Sequence, residues 1–422
     1  PEFGFDCECI NPCGDYGYMW WQLDFSLALT GYLWLDQQFC EQALLNFCKA
    51  QKSNGRIPLW GNDLTPGTSM HSRQRENVSS LPKLFDAAWQ ITRRTNDLDV
   101  VRKIYPVLVN YLNWFFAERQ DPETKLISGV FEETFVPYLG YAGEIAPVDT
   151  NVEVAHGCGC VAQIAARLGD VGQQTFLLEK QRQIMLAVRQ YLWDDRRKAF
   201  YNYTFKDESH VDTLMASTFF PMRLNMADAG QKQHLLRLLT DPARFNWGKI
   251  PLNSVDQQDR TFTITDGKYQ GNPSWSGSVW SILNEQTVRA LIDAGELALA
   301  AELADRTVAA FDNNYSEFLN PETGRGNGVP DYAWTAAQYL EILLKFIFGI
   351  DYAAPAGEIA ICPMVPSRHR GKVIEVSGIN IPGAGELAVK VKLQAEPVIE
   401  AVLKTGGKDK TFTGVNSLVI RL

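Results

Sequence analysis

The sequence predicts an all-α domain, an (α/α)6 barrel built as a toroid of helical hairpins, followed by a small antiparallel β-sandwich. Three observations predict it. Apolar residues recur at helical spacing from about residue 21 to 350. The connections between these helical segments alternate between very short and long. After Tyr352 the pattern switches to the two-residue alternation of strands, in a stretch rich in Val, Ile, Gly and Pro.

The helical segments are expected near 22–35, 37–52, 80–95, 97–119, 150–168, 170–193, 211–224, 227–240, 279–294, 296–313 and 331–348. Within 97–119, Val101, Ile104, Tyr105, Val107, Leu108, Tyr111, Leu112 and Phe115 form a stripe too broad for a single partner, which calls for a double-layered arrangement. The joins Leu35-Asp36, Thr95-Asn96, Gly169-Asp170 and Ala294-Gly295 are short enough to turn one helix straight back along the next. The stretches 53–78, 120–149, 241–278 and 314–330 are long, and long loops inside a compact domain usually carry function. Short and long joins in alternation put every long loop at one end of a ring. Eleven helices are visible where six closed pairs need twelve, so the remaining one is expected in residues 1–20 or outside this chain. The domain division is 1–352 for the barrel and 353–422 for the β-domain.

At 422 residues, 45% of them apolar and 11% aromatic, the chain has material for a large core. Its net charge of −9 argues against nucleic acid, which is bound through clustered Lys and Arg. No uninterrupted apolar run of about eighteen residues is present, so no membrane span is expected. A soluble chain follows, cytoplasmic ahead of periplasmic or secreted, with a processed or trimmed start at Pro-Glu-Phe. Eight cysteines are too sparse for a disulfide scaffold, and Cys7, Cys9 and Cys13 lack the paired spacing of a zinc site. In His156-Gly-Cys158-Gly-Cys160 the small residues read as close helix packing. No metal and no cofactor are expected.

The long loops concentrate acids beside aromatics. Inverting glycoside hydrolysis needs one carboxylic acid to protonate the leaving oxygen and one carboxylate to activate water from the opposite face. Loop 120–149 offers Glu132 and Glu133 behind Val130 and Phe131, where an apolar wall raises the pKa of one of the pair. Loop 314–330 offers Glu317 ahead of a rigid Asn320-Pro321 turn. At the first helix Trp21 and Asp24 lie three residues apart on one face, the arrangement of an aromatic platform with a hydrogen-bonding acid. Loop 241–278 closes on Trp275 and Trp280.

These last residues carry a resemblance. Ser274-Trp275-Ser276-Gly277-Ser278-Val279-Trp280 is similar to the Tyr-Trp-Arg-Gly-Pro-Val-Trp signature of glycoside hydrolase family 63 and the related family 37 trehalases. Ile250-Pro251-Leu252-Asn253-Ser254-Val255 resembles the strand-like run upstream of that signature. Asp149-Thr150-Asn151 resembles the Asp-Leu-Asn that opens a middle helix. Leu192-Trp193-Asp194, with Phe200-Tyr201 after it, resembles a helix end and following strand. Glu317-Phe318-Leu319-Asn320-Pro321-Glu322-Thr323-Gly324 is similar to Glu-Asn-Tyr-Asn-Pro-Leu-Thr-Gly, whose Glu is the family's general base, and Tyr332-Ala333-Trp334-Thr335-Ala336-Ala337 resembles the closing helix. The family's Ser-Gly-Leu-Asp-Asn-Ser-Pro reads Ser-Gly-Val-Phe-Glu-Glu-Thr here, without the Asp. That string looks more like the Leu-Trp-Glu-Glu of the glucoamylases, as Trp21-Gln22-Leu23-Asp24 looks like their Trp-Thr-Arg-Asp.

The resemblance implies Glu132 as general acid, with Glu133 as the fallback, and Glu317 as general base. Trp21, Asp24, Trp275, Trp280, Asn284 and Glu133 would bind substrate, with Arg73 or Arg75 replacing the Arg that Ser276 displaces. The expected partner is an oligosaccharide or small glycoside, by default an α-glucoside. The rivals are a sugar epimerase or lyase, which would need catalytic His such as His71 or His156, and a non-catalytic carbohydrate-binding protein.

Overall fold

The structure is a computed structural model and describes residues 10–16, 19–62, 77–130, 132–135, 145–248, 250–264 and 276–422. Its helices are α1 (Gln22–Tyr32), α2 (Gln37–Cys48), α3 (Leu84–Thr95), α4 (Leu98–Glu118), α5 (Val148–Leu168), α6 (Val171–Ala187), α7 (Ala229–Thr240), α8 (Ser281–Asp293), α9 (Leu297–Phe311) and α10 (Ala333–Glu341). A 3-10 stretch, Ala216–Asn225, lies between α6 and α7. The sequence predicts an α-helix at 211–224, and here the structure differs. Pro221 removes a backbone donor, Leu224 adopts a φ of +54°, and Met215 is extended and bridges Val255, so a regular helix does not form.

Among the described residues α1 packs on α3, α3 on α5, α5 on the 216–225 stretch, that stretch on α8, α8 on α10 and α10 back on α1. Six inner segments therefore close a ring, and α2, α4, α6, α7 and α9 lie outside it. Four of the five outer helices begin differently from the inner segments, and only α9 of the five starts without a side-chain cap. Asp36, Asp97, Asp170 and Asp228 each cap an outer helix, accepting from Phe39 N, from Asp99 N and Val100 N, from Gln173 N, and from Gln231 N. The inner segments start after Trp21, Lys83, Pro147, Met215, Trp280 and Tyr332, none of which makes a side-chain cap. Their starts are held by neighbouring loops instead. Gln22 N donates to Leu59 O, Leu81 N to Glu132 O, Ala216 N to Ser254 O, and Val279 N to Leu319 O. The long loops and the positive ends of the inner helix dipoles thus share one end of the ring.

A belt of buried charge fills the ring below that end. Lys83 lies 3.1 Å from Glu153, which also pairs with Arg223 at 3.1 Å. Arg289 pairs with Glu285 and Glu341, and Glu341 also meets Lys345 at 3.2 Å and accepts from Trp34 Nε1 at 2.8 Å. Asp86, His156 and Cys160 bring ligand-type atoms within 4.8 Å of one another. Arg289, His156 and Lys83 overcome burial and hold the Asp86 carboxyl well below its usual range, so the positive charge a cation would add is already supplied. Gly157 belongs to packing, because a Cβ there would stand 2.5 Å from the Phe85 ring.

The strands of the C-terminal part begin at Ile350. Ile350–Ala353, Glu358–Ile361 and Leu418–Arg421 form one antiparallel sheet, and Val373–Ile381, Gly385–Lys392, Val398–Thr405 and Lys408–Val415 form a second in simple meander order. Ile359, Ile361, Leu387, Val389, Ile399 and Ile420 fill the space between them, and Trp34, Leu344 and Phe348 extend the same cluster into the helical part. No described helix is long and apolar enough to cross a membrane.

Candidate active site

Three carboxylates from three separate segments lie in electrostatic reach of one another at the loop end. Asp24 sits in the first turn of α1, 5% exposed, and accepts a hydrogen bond from the Tyr332 hydroxyl at 2.8 Å. Burial pushes its carboxyl up to about 8, against the Tyr332 bond, with Glu317 and Glu132 adding like charge. Glu317 is also 5% exposed, and burial pushes it up to about 7, again with a contribution from Glu132. Each of the two thus feels the charge of Glu132, whose own side chain is half-buried. Burial and like charge together favour a state in which these acids are not all ionised at neutral pH.

Local structure explains why Glu317 is held. Phe318–Leu319 pairs with Gly326–Asn327, and Asn320 closes the turn between them by accepting from Glu322 N and Thr323 N at 2.9 and 3.1 Å. Glu317 N donates to Val329 O at 2.8 Å, and Val329 N donates to Glu317 Oε2 at 3.2 Å. Between them Gly328 has a φ of +71°, and a Cβ there would lie 2.5 Å from Glu317 Oε2. Only glycine fits.

The Glu132 loop hangs on the start of α5. Asp149 accepts from Thr134 Oγ1 at 2.7 Å and from Phe135 N at 2.6 Å, while burial pushes its carboxyl up to about 6. Thr150 Oγ1 donates to Glu133 O at 2.7 Å. Asn151 accepts from Ile127 N and donates to Ile127 O at 2.7 and 2.8 Å. The Asp149-Thr150-Asn151 motif is therefore the anchor of this loop, a role its sequence position alone did not disclose.

The remaining expected site residues divide. Trp21 is partly exposed and stacks on Trp60 with ring centroids 6.0 Å apart. Trp275, His71, Arg73 and Arg75 lie outside the described residues. Three expectations need correction. Trp280 is 1% exposed and packs on Phe318 and Trp334, so its indole belongs to the core rather than to a pocket wall. Glu133 is 0% exposed and ion-paired with Arg119, which removes it both as fallback acid and as sugar ligand. Asn284 is 0% exposed, accepts from Leu252 N at 2.8 Å and donates to Pro251 O and Thr307 Oγ1, so its amide is fully used by protein. Trp280 precedes α8 in extended backbone and Asn284 lies in the first turn of α8, and both side chains are turned into protein. His156 lies in the charged belt against Asp86, away from the three acids. We expect Asn284→Ala to lower stability by on the order of 3 kcal/mol, because the Leu252 N–H and Pro251 carbonyl lose a buried partner. Chemical denaturation measures it, and a loss under about 0.5 kcal/mol, the level of an ordinary surface change, would contradict the structural role.

Residues 17–134 and 136–335 match the sequence profile of the mannosylglycerate hydrolase MGH1-like glycoside hydrolase domain. The chain belongs to this family. The matched span contains Asp24, Glu132, Glu317 and Tyr332, and ends where the strands of the C-terminal part have yet to begin. A mannosylglycerate hydrolase of Rubrobacter radiotolerans is 24% identical over 239 residues, covering 56% of this chain and 49% of that protein. The chain thus spans about half the length of the curated relatives it matches. Among solved structures, a GH63 mannosylglycerate hydrolase from Thermus thermophilus in complex with Tris and D-glycerate superposes with a TM-score of 0.67 at 18% identity, over 79% of this chain and 96% of that one. The neutral trehalase of Saccharomyces cerevisiae superposes with a TM-score of 0.60 at 15% identity, over 77% of this chain and 71% of that one. The MGH1-like family and these two folds agree with the family 63 and trehalase resemblance read from the motifs.

Proposed function

We propose that this MGH1-like chain is an inverting glycoside hydrolase on an (α/α)6 barrel, with Glu132 as general acid and Glu317 as general base. The observation that supports it best is that Asp24 in the first turn of α1, and Glu132 and Glu317 in two loops at the same end of the ring, lie in electrostatic reach of one another. Glu132 protonates the glycosidic oxygen as the bond breaks. Glu317, fixed by Val329 and lifted to about 7, takes the proton of a water attacking the anomeric carbon from the other face. Asp24, lifted to about 8, is protonated at neutral pH, so it accepts from Tyr332 and still has a proton to offer a sugar hydroxyl. Trp21 supplies an apolar wall beside it.

The substrate reading moves from the default α-glucoside to a small α-glycoside of a hydroxy acid, the class to which mannosylglycerate belongs. The names of the relatives support that class. Incubation with α-mannosylglycerate and α-glucosylglycerate, followed by proton NMR of the freshly released sugar, tests both parts. We expect one of them to be cleaved, with the β-anomer appearing first. First appearance of the α-anomer would remove the inverting mechanism, and cleavage of trehalose alone would remove the hydroxy-acid class.

A further inference from the structure

We propose that Arg119 and Glu133 form a clamp that aims Glu132 at the leaving oxygen, so that both are positioning residues for the general acid. The inference rests on the assignment of Glu132 as acid.

The clamp is built from groups the mechanism otherwise leaves idle. Arg119 ends α4 and donates from Nε to Glu133 Oε2 at 2.8 Å and from Nη2 to Glu133 Oε1 at 2.9 Å. The same carboxylate accepts from Ser79 N at 2.8 Å and from Val130 N at 3.3 Å. Two guanidinium contacts and two backbone N–H groups thus converge on it, and it is wholly buried. The acceptor sites of this carboxylate are thus taken up by protein donors. Arg119 also donates to Asn77 O, and its guanidinium lies 4.7 Å above the Trp114 ring.

Three segments are thereby joined at one point: the end of α4, the 77–81 approach to α3, and the loop that carries the acid. Glu132 sits at the junction. Its backbone has a φ of +72°, and its carbonyl accepts from Leu81 N at 3.1 Å. A glutamate does not hold that backbone region without support. Glu133 on one side, pinned through its side chain and through its carbonyl by Thr150, supplies the support. With Glu133 drawn into the protein, its neighbour is left on the side where its charge reaches Asp24 and Glu317. The adjacent acids thus divide the work: one is buried so that the other is aimed.

A positioning role is separated from a merely structural one by leaving-group dependence. α-Mannosylglycerate releases an alkoxide and needs the proton, whereas α-mannosyl fluoride releases fluoride and scarcely needs it; the α-glucosyl pair is run in parallel. Wild type, Glu132→Gln, Arg119→Met, Arg119→Lys and the Arg119→Met/Glu132→Gln double variant are assayed on both. We expect Glu132→Gln to lose about 100- to 10,000-fold on the glycerate substrate and little on the fluoride. Arg119→Met should lose at least about tenfold more on the glycerate substrate than on the fluoride, since a small misplacement of a catalytic group is costly. Arg119→Lys, which keeps the charge without the fork, should fall between. In the Glu132→Gln background, Arg119→Met should add no further loss on the glycerate substrate. Equal losses on both substrates for Arg119→Met, or for Arg119→Lys if the former does not fold, would overturn the clamp. A Glu132→Gln enzyme without leaving-group dependence would overturn the acid assignment itself, whatever Arg119 does.

Discussion

Glu317→Gln should abolish turnover and, at pH 8, stabilise the fold. Removing a general base costs about 100- to 10,000-fold in rate, and Gln matches Glu in shape while being unable to take a proton from water. The stability gain follows from linkage. Burial lifts the folded-state value of Glu317 from 4.5 to about 7, so the fold favours its neutral form. That contribution is fully present below the unfolded value and is lost as pH rises through about 7. Asp24, lifted from 3.8 to about 8, behaves in the same direction. The wild-type thermal midpoint should therefore fall between pH 5.5 and 8.5, and Glu317→Gln should flatten that fall. The gain at pH 8 should be on the order of 2 kcal/mol, or a few degrees in a chain of this size. In the wild type the acid limb of kcat/KM should bend near 7, where Glu317 becomes ionised. Activity retained within tenfold would remove Glu317 as base. A lost activity with an unchanged pH dependence of stability would show that its carboxyl is not held in a buried, charge-crowded setting.

The helical periodicity and the alternation of loop lengths made the layout of this chain legible because both follow directly from burying one stripe of each helix against two layers. The motif order singled out Glu317 and the Glu132 loop as candidates, on a resemblance rather than on periodicity. What periodicity could not supply was direction across the inner ring. Trp280 and Asn284 are four residues apart, and that spacing discloses neither that Trp280 stops short of the helix in extended backbone nor that both side chains turn into protein. Glu132 and Glu133 differ by one residue, and the partners of the buried one include Arg119, at the far end of a 21-residue helix, and Ser79 N, neither of which the pair itself discloses. Tyr332 was visible as part of a motif, but its hydrogen bond to Asp24 spans 308 residues. The 3-10 stretch at 216–225 was missed because its apolar content resembles a helix, while its course is set by Pro221 and by backbone bonds to the 253–255 run. The charged belt has no local signature at all. Its members come from four different inner helices and one 3-10 stretch, and each looks like an ordinary polar residue in its own segment.

Gly328→Ala should cost activity out of proportion to stability. Two effects meet at this position. Its φ of +71° is one that an alanine adopts only at a cost of about 1–2 kcal/mol. Its absent side chain also leaves room for the Glu317 loop, since a Cβ would lie 2.5 Å from Glu317 Oε2, 2.7 Å from Phe318 Cε1 and 2.9 Å from Glu317 Cβ. The Phe318 ring is itself packed on Trp280, so Glu317 is the part with room to move. A displacement of about 1 Å at a catalytic group is worth about 100-fold in rate, and that loss is expected here. Gly295→Ala is the matched control. It has a similar φ of +78°, nothing within 4 Å of the added Cβ, and a place in the short join between α8 and α9. Both variants should lose stability through backbone strain, Gly328→Ala the more because of its close contacts, measured by thermal or chemical denaturation. Only Gly328→Ala should lose kcat, and it should also shift the acid limb of the rate profile, because moving the Glu317 carboxyl changes its distance from Val329 N and from the charge of Glu132. Equal activity in the two variants would mean that the close approach of Gly328 to Glu317 is not what holds the base in place.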